Sequence, residues 1–257
     1  SLADVREGMR NHYEGTELSM TNDPGAGVYK VPYRWRPMTF KSEGREYFNE
    51  RAIATQQTGF VLIAQMRSWL PDAVGGILWF GVDDANTAVL TPMYASITEI
   101  PECYRRGNGS MTEFSWTSAF WIHNWVANMA YNRYEPMIRD IRPVQKELED
   151  SYVDLVKNTD AKALELLKSS PAQATAYLTE VCGKVANEAT ARWKKLGEYL
   201  LVKYMDGNVK KEKDGKFEEN GYGQIVSPNF PGYSQEYYDQ VAKSEEAKHL
   251  EVPKKDK

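Results

Sequence analysis

Cysteine and histidine are scarce in this chain. Its 257 residues include 2 cysteines and 3 histidines, too few for a disulfide framework or a zinc cluster. Cys103 and Cys182 read first as small core residues. A long apolar run is also missing. The longest, Phe60-Val-Leu-Ile-Ala64, falls far short of the roughly 20 residues that a membrane-spanning helix needs. No basic stretch leading into an apolar one opens the chain, so no signal peptide is expected here. Nor does one sign of charge dominate: 32 Lys+Arg against 36 Asp+Glu leave a formal net charge of −4. A dedicated nucleic-acid binder would carry clustered basic residues instead. What remains is 42% hydrophobic and 26% charged, the composition of a folded globular chain. The length suits one large domain or two small ones.

The chain changes character twice, at about residues 101 and 207. Residues 1–101 are rich in Gly, Pro, Thr and aromatics. Ser1-Leu-Ala-Asp4 fits a capping box before a short helix reaching about Tyr13. Three extended runs follow at Arg51–Arg67, Gly75–Asp83 and Thr87–Ala95, with β-branched and aromatic content. Asp84-Ala-Asn86 supplies turn chemistry between the last two, so an antiparallel meander is expected. Ile77 and Trp79 alternate with Leu78 and Phe80 in the middle strand, so the sheet should be covered on both faces. The first hundred residues cannot provide that much cover.

Residues 102–207 read as helical. Ser110-Met-Thr-Glu113 is a second capping-box match, ahead of an aromatic helix with Phe120, Trp121 and Trp125. The series Ile138, Ile141, Val144, Leu148, Tyr152 and Leu155 keeps helical spacing until Asn158-Thr-Asp160, which reads as a break. Ser170-Pro171 places a capping Ser before a first-turn Pro, opening a long helix that ends near Asp206-Gly207. The region therefore predicts a helical hairpin or small bundle, and the fold class α+β. Residues 208–257 form a polar tail, with one short helix expected at Tyr233–Ala242.

Candidate chemistry is thin. Neither cysteine has a local catalytic signature, and Cys182 lies on the apolar stripe of a helix, where burial leaves a thiol inert. Asp83-Asp84 reads as an acid/base or metal pair only if the turn twists the two side chains together. The plainer reading is a polar hairpin corner. His123, beside Asn124, reads as a hydrogen-bonded core or interface histidine. Its helical neighbours Ala119, Phe120, Val126 and Ala127 offer no metal ligand. Gly75-Gly76 precedes a strand and opens no helix, so it is no phosphate cradle. Arg34, Arg36, Arg51 and Arg67 remain. Arg51, at the start of the first long run, can offer a fork of donors to a carboxylate or an oxyanion. Its alternative is an ion pair with Glu50 or Glu46. From residues alone no self-sufficient active site emerges, and no cofactor or metal is implied.

Several stretches in fixed order carry a resemblance. They include Arg51-Ala-Ile-Ala-Thr-Gln-Gln-Thr-Gly-Phe60, Gln65-Met-Arg-Ser-Trp-Leu-Pro71 and Gly75-Gly-Ile-Leu-Trp-Phe-Gly-Val-Asp-Asp-Ala-Asn86. Glu113-Phe-Ser-Trp-Thr-Ser-Ala-Phe-Trp121, Asn124-Trp-Val-Ala-Asn-Met-Ala-Tyr131 and Trp193-Lys-Lys-Leu-Gly-Glu-Tyr199 continue it. Together they resemble the C-terminal half of the bacterial PepD-like dipeptidases, cysteine peptidases among the N-terminal nucleophile hydrolases. The resemblance implies a four-layer αββα sandwich. It also implies an N-terminal Cys that attacks the peptide carbonyl with its own α-amine as general base. That Cys and the first half of the sandwich are absent here, and Ser1 is no substitute. The expected partners are a dipeptide substrate and the N-terminal half of the same polypeptide, with no nucleic acid and no membrane; a homo-oligomer stays open. The chain alone is expected to be inactive, and the parent is either cytoplasmic or exported. Related amidases place an Arg late in the chain near the nucleophile, and by position Arg51 is the candidate catalytic residue. The rival reading is a non-catalytic module, presenting its 7 Trp and 16 Tyr to a ligand or its helical hairpin to a partner.

Overall fold

The structure, a computed structural model, describes residues 1–35, 37–226 and 229–252; Arg36 lies outside them. The chain forms two compact units, Ser1–Leu200 and Leu201–Lys257.

The first unit opens with α1 (Leu2–Met9), started by a complete capping box between Ser1 and Asp4. A loop leads to a hairpin of β1 (Thr39–Ser42) and β2 (Arg45–Phe48). Its Glu43-Gly44 turn has positive φ at both residues (49° and 73°), the geometry that matches the twist of paired strands. Then come β3 (Phe60–Met66), the single turn α2 (Asp72–Gly75), β4 (Gly76–Val82) and β5 (Thr91–Tyr94). These three strands pair antiparallel in the order β3-β4-β5, with Ile63 opposite Trp79 and Trp79 opposite Pro92. Three helices follow: α3 (Ala119–Asn132), α4 (Tyr134–Ser169) and α5 (Pro171–Tyr204).

The protein is thus a mixed α and β fold with an antiparallel meander and a long helical pair, as the sequence patterns predict. α1 stops at Met9 rather than near Tyr13, where φ is +66°, and four further boundaries differ. Arg51–Gly59 is a loop rather than strand, because Thr58 N–H closes a turn on Thr55 O and Ala54 N–H is taken by Asn11 O. Residues 87–90 are likewise not strand. The Asp84 carboxylate accepts from both the Thr87 N–H and hydroxyl, and Ala88 N–H bonds Asp84 O, winding the chain into a turn. The aromatic helix starts at Ala119 instead of Ser110, since Ser110 and Glu113 bond each other's backbone in an isolated bridge. Finally, α4 runs unbroken through Asn158-Thr-Asp160. Asp160 is held there by Arg67 and by the Tyr94 hydroxyl, and these tertiary bonds override weak helix propensity.

Only one face of the sheet is fully covered. Val61, Ile63, Ile77, Trp79 and Tyr94 are buried on it, each such side chain contributing about 1.5–3 kcal/mol. α1 packs against β3 and α4 against β5 on this unit, and the Arg6 guanidinium lies 4.6 Å over the Trp79 ring. The opposite face carries Phe60, Leu62 and Met66, which are 63%, 43% and 74% exposed.

The second unit holds the hairpin β6 (Glu212–Lys213) and β7 (Lys216–Phe217), turning at Asp214-Gly215, and the short helix α6 (Gln235–Ala242). α6 is capped by the Ser234 hydroxyl, which accepts from Tyr237 N–H. No helix among the described residues is long and apolar enough to cross a membrane.

Candidate functional site

The sheet ends, on the side where β3 begins and β4 finishes, in a buried polar cluster. Asp83 follows β4 directly. Its N–H donates to Gly59 O at 2.9 Å, tying the end of β4 to the start of β3. Its φ is +67°, a left-handed conformation that Asp tolerates better than most residues but that remains uncommon away from glycine. The side chain is 1% exposed. Oδ1 accepts from Asn124 Nδ2 at 2.8 Å, while Oδ2 is buried without a hydrogen-bond partner among the described residues. Burial raises its pKa from 3.8 to about 7; nearby Asp84 adds to the rise, and the bonds from Asn124 and the backbone oppose it.

A one-way row of donors leads to that carboxyl. Tyr33 OH donates to Gln56 Oε1, Gln56 Nε2 to Asn128 Oδ1 (3.1 Å), Asn128 Nδ2 to Asn124 Oδ1 (2.9 Å), and Asn124 Nδ2 to Asp83. Aligned amides of this kind polarise one another in a low-dielectric interior. A second branch centres on His12, which is fully buried. Tyr131 OH donates to Asp84 Oδ1 at 3.0 Å and lies 3.3 Å from His12 Nε2. His12 Nδ1 faces Glu14 Oε1 at 3.1 Å, and Asn86 Nδ2, 3.2 Å away, has Arg10 O as its acceptor at 2.8 Å. Burial opposes ionisation of Glu14, but the bonds from His12 outweigh it and hold the carboxyl near 2. The two branches meet where the Tyr33 and Tyr131 rings pack edge to face, 4.9 Å between centroids.

Arg51 lies on the loop that feeds β3, beside this cluster in sequence and half-buried. Its Nη2 donates to Thr55 Oγ1 at 2.8 Å and reaches Gln57 Oε1 at 3.4 Å. Among the described residues no carboxylate pairs with it. Glu50 faces Arg34 instead, at 3.7 Å, and Arg34 is also tied to Asp23 at 2.6 Å. A guanidinium held only by neutral acceptors keeps charge available for an anion.

The other sequence candidates have structural places. Arg67 is buried and bonded to Asp160, Gly75 O and Val74 O. Cys103 and Cys182 are buried, and burial raises both thiols, Cys182 to about 11, so neither is a ready thiolate. His123 stacks on Trp193 at 5.0 Å, and burial pushes its pKa down to about 3, leaving the ring neutral. Gly75 and Gly76 are small for packing: a Cβ on Gly75 would sit 3.0 Å from Arg67 O, and one on Gly76 3.1 Å from the Ala95 methyl. Asp83 and Asp84, read as a polar hairpin corner, are the buried heart of the cluster. Neither they nor other described residues form a group of three metal-ligating side chains. His12, Tyr33 and Tyr131 went unseen in the sequence. The readable trace was Asn124 and Asn128, whose spacing of four puts both amides on one face of α3.

The family model for peptidase family C69 matches residues 1–147. The chain belongs to peptidase family C69. The matched span contains Arg51 and every residue of the polar cluster. A relative from Latilactobacillus sakei, named a probable dipeptidase, is 28% identical over 193 residues, covering 74% of this chain and 35% of that protein. The C69 chain thus spans about a third of the length of the curated relative it matches.

Asp83 makes a testable contribution to stability. Its folded pKa lies above its unfolded one, so the protonated form stabilises the fold and that stabilisation is lost as pH rises from about 4 to about 7. Within this window the wild type is expected to lose up to about 1.4 kcal/mol per pH unit from this group. Asp83→Asn, which tolerates the same backbone and carries no charge, is expected to flatten the profile. Urea midpoints across pH 4–8 check it; parallel wild-type and variant profiles would remove the assignment.

Proposed function

We propose that this chain is the C-terminal portion of a dipeptidase whose nucleophile, an N-terminal Cys, lies on an upstream segment of the same polypeptide. The supporting observation is the half-covered sheet: an antiparallel meander with Phe60, Leu62 and Met66 bare on one face and β3 open at the edge. Such an apolar face and edge call for a second layer, and the second sheet of an αββα sandwich is the layer this reading supplies. Membership of the C69 family and the probable-dipeptidase relative support the substrate class.

In this reading the thiol attacks the peptide carbonyl and its proton passes to the α-amine, whose ordinary pKa of about 7.7–8.0 suits a base near neutrality. The amine then protonates the departing amino group, and water hydrolyses the thioester. Arg51 supplies positive charge to the oxyanion or to the substrate carboxylate. No metal or cofactor takes part. The test is reconstitution. The 257-residue chain alone is expected to cleave no dipeptide, and joining it to its upstream segment is expected to give cleavage that is lost when the first Cys of that segment is replaced by Ala. Cleavage by the pure chain, lost on replacing Cys103 or Cys182, would overturn the proposal.

A further inference from the structure

A cleft of about 550 Å³ opens between the β1–β2 hairpin and the Asp23–Gly27 turn. We propose that this cleft is a side-chain subsite that takes a large apolar or aromatic side chain of the dipeptide; the proposal rests on the dipeptidase reading above and gives it a substrate preference. Three observations carry it.

The first is the chemistry of the walls. Trp35, Phe40, Tyr47 and Phe48 line the cleft and are 58%, 47%, 42% and 66% exposed. The hairpin is bare at all eight strand positions, yet its register is fixed. Phe40 pairs with Tyr47, and their rings stack at 5.3 Å and 16°. Aromatic surface organised this way without a covering element is a binding wall rather than a stray surface.

The second is what the polar lining has already spent. The Asp23 carboxylate accepts from Arg34 Nε. Asn49 Nδ2 donates to Trp35 O and Pro37 O at 2.7 and 2.8 Å, and its N–H to Met38 O at 2.7 Å. With those groups engaged inside the protein, the surface left to satisfy is apolar. The volume falls in the range of small-molecule pockets, about 300–1,000 Å³, and has room for a bulky amino-acid side chain.

The third is continuity with the candidate site. Tyr33 both lines the cleft and donates to Gln56, the first amide in the row that ends at Asp83. Asn49, on the rim, is two residues before Arg51. The cleft wall at Asn49 is therefore continuous along the chain with the loop that holds the guanidinium, the arrangement a substrate side chain needs if its main chain lies at the reacting centre.

Two measurements test this. The 257-residue chain is titrated with Phe-Phe and with Gly-Gly and followed by amide NMR. Phe-Phe is expected to move resonances of residues 23–27 and 33–49, and Gly-Gly to leave them unmoved. Equal responses, or shifts confined elsewhere, would overturn the subsite. In the enzyme joined to its upstream segment, Phe40→Ala and Phe48→Ala are expected to lower kcat/KM for Phe-Phe by about 10- to 100-fold through KM. Gly-Gly hydrolysis is expected to stay unchanged; the melting temperature is expected to hold for Phe48→Ala, whose side chain is 66% exposed, and to fall slightly for Phe40→Ala, which loses the stacked pair with Tyr47. If dipeptides are cleaved but the Phe-Phe to Gly-Gly ratio does not move, the subsite fails while the peptidase reading stands. If the joined enzyme cleaves no dipeptide, the peptidase reading itself fails. If instead the isolated chain dimerises and Phe40→Ala abolishes that, the hairpin is a contact between copies and the subsite is overturned.

Discussion

Glu149→Ala is expected to cost the first unit about 3–5 kcal/mol, the usual penalty for stripping the counter-charge from a buried ion pair. Glu149 is 3% exposed on α4. Its Oε1 accepts from Arg10 Nη2 and from Leu90 N–H at 2.8 Å, and its Oε2 lies 3.9 Å from Arg6 Nη1. Two buried guanidinium groups therefore share one carboxylate. Burial already disfavours the charged form of Arg6, and Glu149 is the largest influence opposing that. Without the carboxylate both cations stay desolvated and the Leu90 N–H loses its acceptor. The damage would also reach the candidate site, because Arg10 and Gln145 bond Ala88 O and so pin the turn that follows Asp83 and Asp84. A denaturant melt checks this, read as a lowered midpoint at unchanged slope. Glu135→Ala, which breaks the exposed Arg139 pair on the same helix, is the control and is expected to melt close to wild type. A Glu149→Ala midpoint as near wild type as that control would mean the two arginines find water or other acceptors.

The Glu149 cluster also marks the boundary of what the sequence discloses. Periodicity and caps are local, and the elements that depend on them are legible: the Ser1 capping box, the Ser170-Pro171 helix start and the alternating core of β4 all stand where the pattern puts them. Some failures are local, as where Ser110 and Glu113 bond each other and delay the start of α3, but others occur where a distant side chain takes part. Asn158-Thr-Asp160 reads as a break, yet Arg67, ninety-three residues away, holds Asp160 in a continuous helix. Thr87–Leu90 reads as strand, yet Arg142 and Gln145 from α4 take the carbonyls of Asn86 and Ala88. The candidate site suffers most, because it is made almost wholly of such contacts. Asp83 and Asp84 read as a polar hairpin corner until Tyr131 and Asn124 of α3 are brought over them. Arg51 is a candidate only through its place in chain order in a resemblance, since nothing in its packing singles it out. The alternative, an ion pair with Glu50 or Glu46, is not formed, and bonds to Thr55 and Gln57 stand in its place.

That replacement gives the second large expectation. If the proposed dipeptidase reading holds, Arg51→Ala in the chain joined to an upstream segment is expected to lower kcat/KM for dipeptides by about 10²–10³, the loss that follows removal of one donor from a developing oxyanion. The fold should tolerate the change. The guanidinium is half-buried, its two partners are a hydroxyl and an amide within six residues, and no described carboxylate is left unpaired by its loss. Arg51→Lys restores charge without the planar fork, so it is expected to recover only part of the rate. Arg34→Ala separates position from charge: Arg34 is neutralised by Asp23 and Glu50, and its removal should leave Gly-Gly turnover near wild type. The split between KM and kcat then tells which anion Arg51 meets. A loss confined to KM places the guanidinium on the substrate carboxylate, bound alike in ground and transition states, whereas a loss in kcat places it on the oxyanion. An Arg51→Ala enzyme within a few-fold of wild type in both constants would remove Arg51 from the site, and the half-covered sheet would then have to find its electrophilic partner on the upstream segment.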